Sequence, residues 1–99
     1  MAHIAIPRES INQYCSQNRI KRMALFGSVL RDTFRPDSDI DVIVEFMPGQ
    51  QVGMLAMARI ERELSQIFEG RKVDLRTPAE LSRYFRDDVM KTAEICYDA

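Results

Sequence analysis

The segment Asp39–Phe46, read DIDVIVEF, constrains the fold of this chain more than any other. Its apolar and polar residues alternate, so Ile40, Val42, Val44 and Phe46 share one face of a strand and Asp39, Asp41, Ile43 and Glu45 share the other. A strand with this pattern needs a layer of apolar side chains on one side and leaves two neighbouring carboxylates on the opposite side. Aspartate is disfavoured in strands and like charges on one face repel, so the pair asks for a compensating cation. At 99 residues the chain has length for one core and one domain.

The remaining elements fall between glycines and prolines. Pro7 suits the first turn of a helix, and Ile11, Tyr14 and Cys15 follow at helical spacing, predicting a helix over 7–18. Arg22 to Phe26 reads as a short buried strand running into Gly27-Ser28, with under two turns of helix to Thr33. Pro36, Asp37 and Ser38 are turn residues. Val52, Ala56, Ile60, Leu64 and Ile67/Phe68 define an amphipathic helix closed by Gly70. Its charged face, Arg59, Glu61, Arg62 and Glu63, reads as solvated, and Met54 and Met57 read as core or edge filler. Lys72 to Arg76 alternates with period two, pointing Val73 and Leu75 inward and Asp74 away. Thr77-Pro78-Ala79-Glu80 is a capping box with Pro at the first helical position, leading through Leu81, Tyr84 and Phe85. Tyr84, Phe85 and Tyr97 read as core or interface aromatics. A last helix is expected to carry Val89, Ala93, Cys96 and Tyr97. The sum is an α/β (α+β) domain: a small mixed sheet of three to four strands covered on one face by helices.

Composition narrows the function classes. Fourteen basic and fifteen acidic residues give a net charge of -1, which disfavours binding of duplex nucleic acid through bulk charge. No apolar run approaches the length of a membrane span, and the N-terminus lacks the regions of a secretory signal. Two cysteines, Cys15 and Cys96, and one histidine, His3, are too few for a disulfide scaffold or a zinc site. Buried, reduced thiols in a cytoplasmic protein are the expectation. The short basic clusters Arg19/Lys21/Arg22 and Arg71-Lys72 read as solvated.

Asp39 and Asp41, two apart on a strand, emerge about 6.5–7 Å apart. Flexible carboxylates at that spacing can bridge two metal ions, which sit about 3.5–4 Å apart in phosphoryl-transfer sites. Mg²⁺ takes hard oxygen ligands of this kind together with substrate phosphates. Asp74 adds a third carboxylate if its strand lies beside Asp39–Phe46. Gly27-Ser28 at a strand end is either a turn and cap or a set of backbone N–H groups turned toward an anion.

Together these residues form the stretch GSVLRDTFRPDSDID, in which Gly27-Ser28 precedes Asp39-x-Asp41 by ten residues. A chance match of that pattern in a chain this long is roughly one in a thousand. It resembles the signature of the nucleotidyltransferase superfamily typified by DNA polymerase beta. More narrowly, it is similar to the minimal nucleotidyltransferase (MNT) family, antitoxin partners of HEPN-domain toxins. Gly27, Ser28, Arg31, Ser38, Asp39, Ile40, Asp41 and Val44 match that family's motif. Val73-Asp74-Leu75 matches the context of its third carboxylate. Leu30 and Asp32 depart from it, standing where a small residue and glycine are common.

The resemblance implies a polymerase-beta-like nucleotidyltransferase core and a mechanism. Gly27 and Ser28 would hold the β- and γ-phosphates of ATP. Asp39 and Asp41 would hold two Mg²⁺ ions, and Asp74 would hold the second and help deprotonate the acceptor hydroxyl. Arg31 either steadies the triphosphate or stands as a solvated helix residue, and Ser38 either joins the nucleotide site or ends the turn. The implied activity is transfer of AMP from ATP to a hydroxyl, expected to be a tyrosine, of a HEPN ribonuclease toxin. The chain has no length for the second domain that grips base or acceptor in larger relatives, which favours an acceptor protein that docks. Two alternatives stand beside it: a non-catalytic antitoxin that blocks its partner sterically, and a small-molecule nucleotidyltransferase acting as a homo-oligomer.

Overall fold

The computed structural model describes residues 2, 4–32 and 34–99. His3 and Thr33, both considered above, lie outside the described residues. The chain runs α1 (Arg8–Gln17), β1 (Ile20–Phe26), a 3-10 turn (Gly27–Leu30), β2 (Ile40–Phe46), α2 (Met54–Ile67), β3 (Val73–Arg76), a second 3-10 turn (Pro78–Glu80), α3 (Arg83–Thr92) and β4 (Glu94–Asp98). The strands form one mixed sheet in the order β3-β2-β1-β4. β1 is antiparallel to β2 and β4, while β2 and β3 are parallel. A parallel pair needs a long crossover, and α2 supplies it.

The alternation of β2 sorts the sheet as the sequence predicts. Ile40, Val42 and Val44 are fully buried in one cluster with Met23 and Leu25 of β1, Ile11 and Cys15 of α1, and Ile60 and Leu64 of α2. Helices α1 and α2 thus cover one face. Each large apolar side chain buried there contributes about 1.5–3 kcal/mol. The opposite face is not wholly polar. Ala24, Phe26 and Ile43 lie on it, and Val89 of α3 packs against them with Leu81, Met90 and Ala93 at the margin. Helix α3 therefore lies over part of the face that carries Asp41.

The C-terminal segment corrects the expectation of a last helix through Cys96 and Tyr97. The helix stops at Thr92, Ala93 is extended (φ -60, ψ 141), and residues Glu94–Asp98 pair with β1 instead. Spacing at 89, 93, 96 and 97 fits a helix face. Yet Ile95, Cys96 and Tyr97 are strand formers, and pairing to the open edge of β1 satisfies their backbone groups. The capping box at Thr77 also closes less helix than expected. Glu80 accepts hydrogen bonds from the Thr77 backbone N–H (3.1 Å) and hydroxyl (3.2 Å), but the turn ends there. Ser82 then caps α3 by accepting from the Phe85 N–H at 3.3 Å. Met54 and Tyr84, read as filler and as core or interface, are each 90% exposed, so neither is core.

The charged face of α2 does more than meet solvent. Glu63 accepts from the Tyr14 hydroxyl at 2.7 Å and from Arg59 at 2.8 Å, tying α1 to α2. Glu61 accepts from the backbone N–H of Leu75 at 2.9 Å, closing a donor on the edge strand β3.

Candidate active site

The parallel register of β2 and β3 places Asp41 directly opposite Asp74. Neighbouring strands lie about 4.8 Å apart, and both side chains leave the sheet on the same face. On the other side of β2, Phe26 pairs with Asp41, and β1 ends there. The chain then turns over the carboxylate at Gly27, whose φ of +76 is left-handed. A Cβ at this position would collide with the Asp41 carboxylate. Glycine is thus required twice, by the backbone angle and by the space. The turn directs the Ser28 backbone N–H to Asp41, which accepts its hydrogen bond.

Burial pushes the Asp41 carboxyl above its ordinary pKa, and the negative charge of Asp74 pushes it further, with Asp39 adding to it. The Ser28 N–H and the Arg76 guanidinium pull the other way. Asp41 therefore carries the cost of burial and of two like charges, offset in part by Ser28 and Arg76.

Each candidate carboxylate has a partner from the protein. Asp41 has Ser28. Asp74 faces Arg76, whose Nε lies 3.3 Å from Oδ1 and whose Nη2 donates to Oδ2 at 3.4 Å. Asp39, just before β2, has its Oδ2 at 3.9 Å from Lys72 Nζ. Among the described residues no three His, Cys, Asp or Glu side chains gather as a metal-binding cluster. Asp41 and Asp74 are the juxtaposed pair, and Asp39 is drawn aside toward Lys72. Two half-buried, mutually repelling carboxylates beneath a glycine turn are a donor set suited to a hard divalent ion.

The pair lies in a cleft of about 810 Å³. One wall holds Gly27, Ser28, Leu30 and Arg31, and Asp41, Asp74 and Arg76 stand on the sheet. The other wall is helical, with Phe85, Asp88, Lys91 and Thr92 of α3. That volume is in the range of small-ligand sites. Gly27, Ser28, Arg31, Asp41 and Asp74 are thus brought together, whereas Asp39 and Ser38 are not among the lining residues. Ser38 works within its own turn. Its Oγ accepts from the Arg35 N–H at 3.2 Å, and its N–H donates to the Arg35 carbonyl at 3.0 Å.

Three features of the site were not legible in the sequence. Arg76 stands two residues beyond Asp74, and only this charge alternation on β3 hinted at it. For helix α3 as a cleft wall, the only signal was Ile43, an apolar residue on the acidic face of β2. Arg71, read as solvated, lies with its guanidinium 4.5 Å over the Phe34 ring and donates to the Arg35 carbonyl at 2.9 Å. It pins the loop that leads into Ser38 and Asp39.

The protein is thus an α+β domain whose mixed four-stranded sheet carries paired acids beside a Gly-Ser turn in an open cleft. The family model of the nucleotidyltransferase domain matches residues 8–96, and the chain belongs to that family; it is a nucleotidyltransferase. It is 32% identical over 74 residues to the "Putative protein adenylyltransferase MJ0435" of Methanocaldococcus jannaschii, covering 75% of this chain and 76% of that protein. A solved structure described as a "putative minimal nucleotidyltransferase" superposes with a TM-score of 0.70 at 32% identity, over 87% of this chain and 85% of that one. A chain from the complex of a tri-AMPylated Shewanella oneidensis HEPN toxin with MNT antitoxin shares the fold. Its TM-score is 0.66 at 19% identity, over 93% of this chain and 70% of that one.

Proposed function

We propose that this nucleotidyltransferase is a Mg²⁺-dependent protein adenylyltransferase and an MNT antitoxin. It moves AMP from ATP to a tyrosine hydroxyl of a HEPN-domain toxin. The observation that carries this reading is the register pairing of Asp41 with Asp74 beneath the Gly27-Ser28 turn. The name of the M. jannaschii relative and the AMPylated toxin in the Shewanella complex support the choice of AMP and of a protein acceptor.

The residues divide the work. Gly27 lets the phosphate chain approach the backbone, and Ser28 donates to it through its hydroxyl. Arg31, on the same wall of the cleft, steadies the β- and γ-phosphates. Asp41 and Asp74 hold the metal, and Asp39 joins them on leaving Lys72. Bound Mg²⁺ ions would neutralise charge on the phosphate chain and on the attacking oxygen. Asp74 takes the proton of the acceptor hydroxyl as its oxygen bonds to the α-phosphorus and the bond to pyrophosphate breaks. Ser38 shapes the turn that presents Asp39. The sheet face is open enough to admit a side chain from a docked protein, and Phe85, 54% exposed, forms an apolar shelf at that opening.

The test uses ATP labelled at the α-phosphate, Mg²⁺, the protein and a lysate of its source. An Asp39→Asn/Asp41→Asn variant runs in parallel. A labelled protein band with the wild type alone is expected, and its mass identifies the acceptor. Equal co-purification of a toxin with both forms, without label, would overturn the enzymatic reading in favour of a steric antitoxin.

A further inference from the structure

Arg76 is a charged strand residue of the cleft with no part in the chemistry proposed above. It shares a strand face with Asp74, two residues earlier, and both line the cleft. Its guanidinium meets Asp74 as a fork, with Nε at 3.3 Å from Oδ1 and Nη2 at 3.4 Å from Oδ2. A fork of this kind fits a carboxylate or a phosphate equally well. The side chain is 47% exposed, which leaves it room to take another pose. Its field also reaches Asp41, which Ser28 alone otherwise offsets. Arg76 thus occupies the position that a cation bound by the carboxylates would take over. Across the cleft, Lys91 would repel it and Asp88 offers a second acceptor.

We propose that Arg76 couples divalent-ion binding to triphosphate binding. Its guanidinium covers Asp74 while the cleft is empty of ligand and passes to the phosphate chain once Asp74 engages the ion. This rests on the reading that Asp41 and Asp74 take a metal together with ATP. The weakness of the pair is what allows the exchange. An ion pair as exposed as this one is worth only about two- to fivefold in an equilibrium. A divalent ion facing two carboxylates can displace it. The released guanidinium then has a polyanion within reach in the same cleft. The consequence is cooperativity. Metal alone binds weakly because Arg76 competes for Asp74, and nucleotide alone binds weakly because Arg76 is engaged, while the two together remove both obstacles.

The test measures Mn²⁺ binding without nucleotide by the loss of the free-ion paramagnetic resonance signal, and binding of a non-hydrolysable ATP analogue and of Mn²⁺ to the protein by equilibrium dialysis when both are present. The proteins are the wild type, Arg76→Gln, Arg76→Lys and Asp74→Asn. Without nucleotide, Arg76→Gln should bind Mn²⁺ about two- to fivefold more tightly than the wild type. With Mn²⁺ present, the same variant should bind the analogue about tenfold more weakly, the loss of a charge-assisted hydrogen bond. Arg76→Lys restores charge without the fork and should recover only part of the analogue affinity. Unchanged Mn²⁺ affinity in Arg76→Gln, or unchanged analogue affinity, overturns the coupling and leaves the metal site intact. Failure of the wild type to bind Mn²⁺ with the analogue present, matched by Asp74→Asn, overturns the metal reading and the role of Arg76 together.

Discussion

Gly27→Ala separates two physical effects that the glycine turn combines, because Gly70 supplies the control. Both residues are left-handed, with φ of +76 and +82. A Cβ at Gly70 meets nothing within 4 Å, whereas one at Gly27 runs into the Asp41 carboxylate. Alanine in the left-handed region costs about 1–2 kcal/mol in either place. At Gly27 the carboxylate must also move, and it gives up the Ser28 N–H. A hydrogen bond to a charged group is worth about 1.5–3 kcal/mol, reduced here because Asp41 is only half-buried. The sums are about 1.5 kcal/mol for Gly70→Ala and about 3 kcal/mol for Gly27→Ala. For a domain of this size, 1 kcal/mol moves Tm by about 4–8 °C, so the falls should be about 6–12 °C and about 12–24 °C. Thermal unfolding followed by circular dichroism measures both. Nucleotidyl transfer, assayed well below either Tm, should be lost in Gly27→Ala and kept in Gly70→Ala. Equal Tm shifts for the two variants would refute the claim that the Gly27 turn is built against Asp41.

Three further predictions follow from the same geometry. Asp41→Asn should abolish transfer and yet raise Tm by a few degrees at neutral pH, because it removes the cost of burying a charge and the repulsion from Asp74 and Asp39. The folded carboxyl holds its proton more tightly than the ordinary value of 3.8, so its contribution to stability falls as pH rises through that window. The Tm advantage of Asp41→Asn should therefore grow with rising pH and then level off. A variant less stable than the wild type throughout would contradict this. Burial pushes the Cys15 and Cys96 thiols each up to about 12. Neither should react with a disulfide reagent at pH 8 until denaturant is added, and fast labelling of the native protein would exclude the buried placement. Arg71→Ala should cost about 0.5–1 kcal/mol through loss of the Phe34 contact. It should also raise KM for ATP more than it lowers kcat, since Arg71 acts on the loop before Asp39. An unchanged KM would show that the loop needs no pin.

The acids were legible because strands punish them. Asp39 and Asp41 break the composition expected of a strand while keeping its alternation, so they stand out without any knowledge of neighbours. Asp74 could be read only conditionally, since its use depended on β3 lying parallel to β2, a fact of topology. The opposite wall was illegible for a related reason. Nothing in RYFRDDVMKT says that Val89 will seek Ala24, Phe26 and Ile43 across a sheet face that otherwise looked polar. Ile43 alone hinted at it, as the apolar residue among acids on that face. Cys96 and Tyr97 continue a helical spacing from Val89 and Ala93, and only the open edge of β1 decides for the strand. Arg71 reads as solvated in the sequence because a surface cation and a loop-pinning cation look the same until the loop is in place.

The cations explain how such an acidic site can fold before any ligand arrives. Asp41 and Asp74 face each other on adjacent strands, and Asp39 adds a third negative charge nearby, so an unassisted sheet would be pushed apart where β2 and β3 pair. Lys72, just before β3, and Arg76, at its end, bracket Asp74, and each reaches one of the outer carboxylates. Both pairs are exposed and weak, which is the property a ligand-exchange site requires. A buried pair would hold the sheet more firmly but would not yield its carboxylate, because breaking it leaves an uncompensated charge. Asp41 is the exception, more enclosed than its neighbours and served by a backbone N–H that cannot leave. The residue that cannot exchange its partner is thus the one kept under electrostatic strain, and binding of a divalent ion relieves that strain. It follows that Mg²⁺ or Mn²⁺ should raise the Tm of the wild type and leave that of Asp41→Asn nearly unmoved. A rise of equal size in both proteins would place the ion elsewhere and would remove Asp41 from the centre of the site.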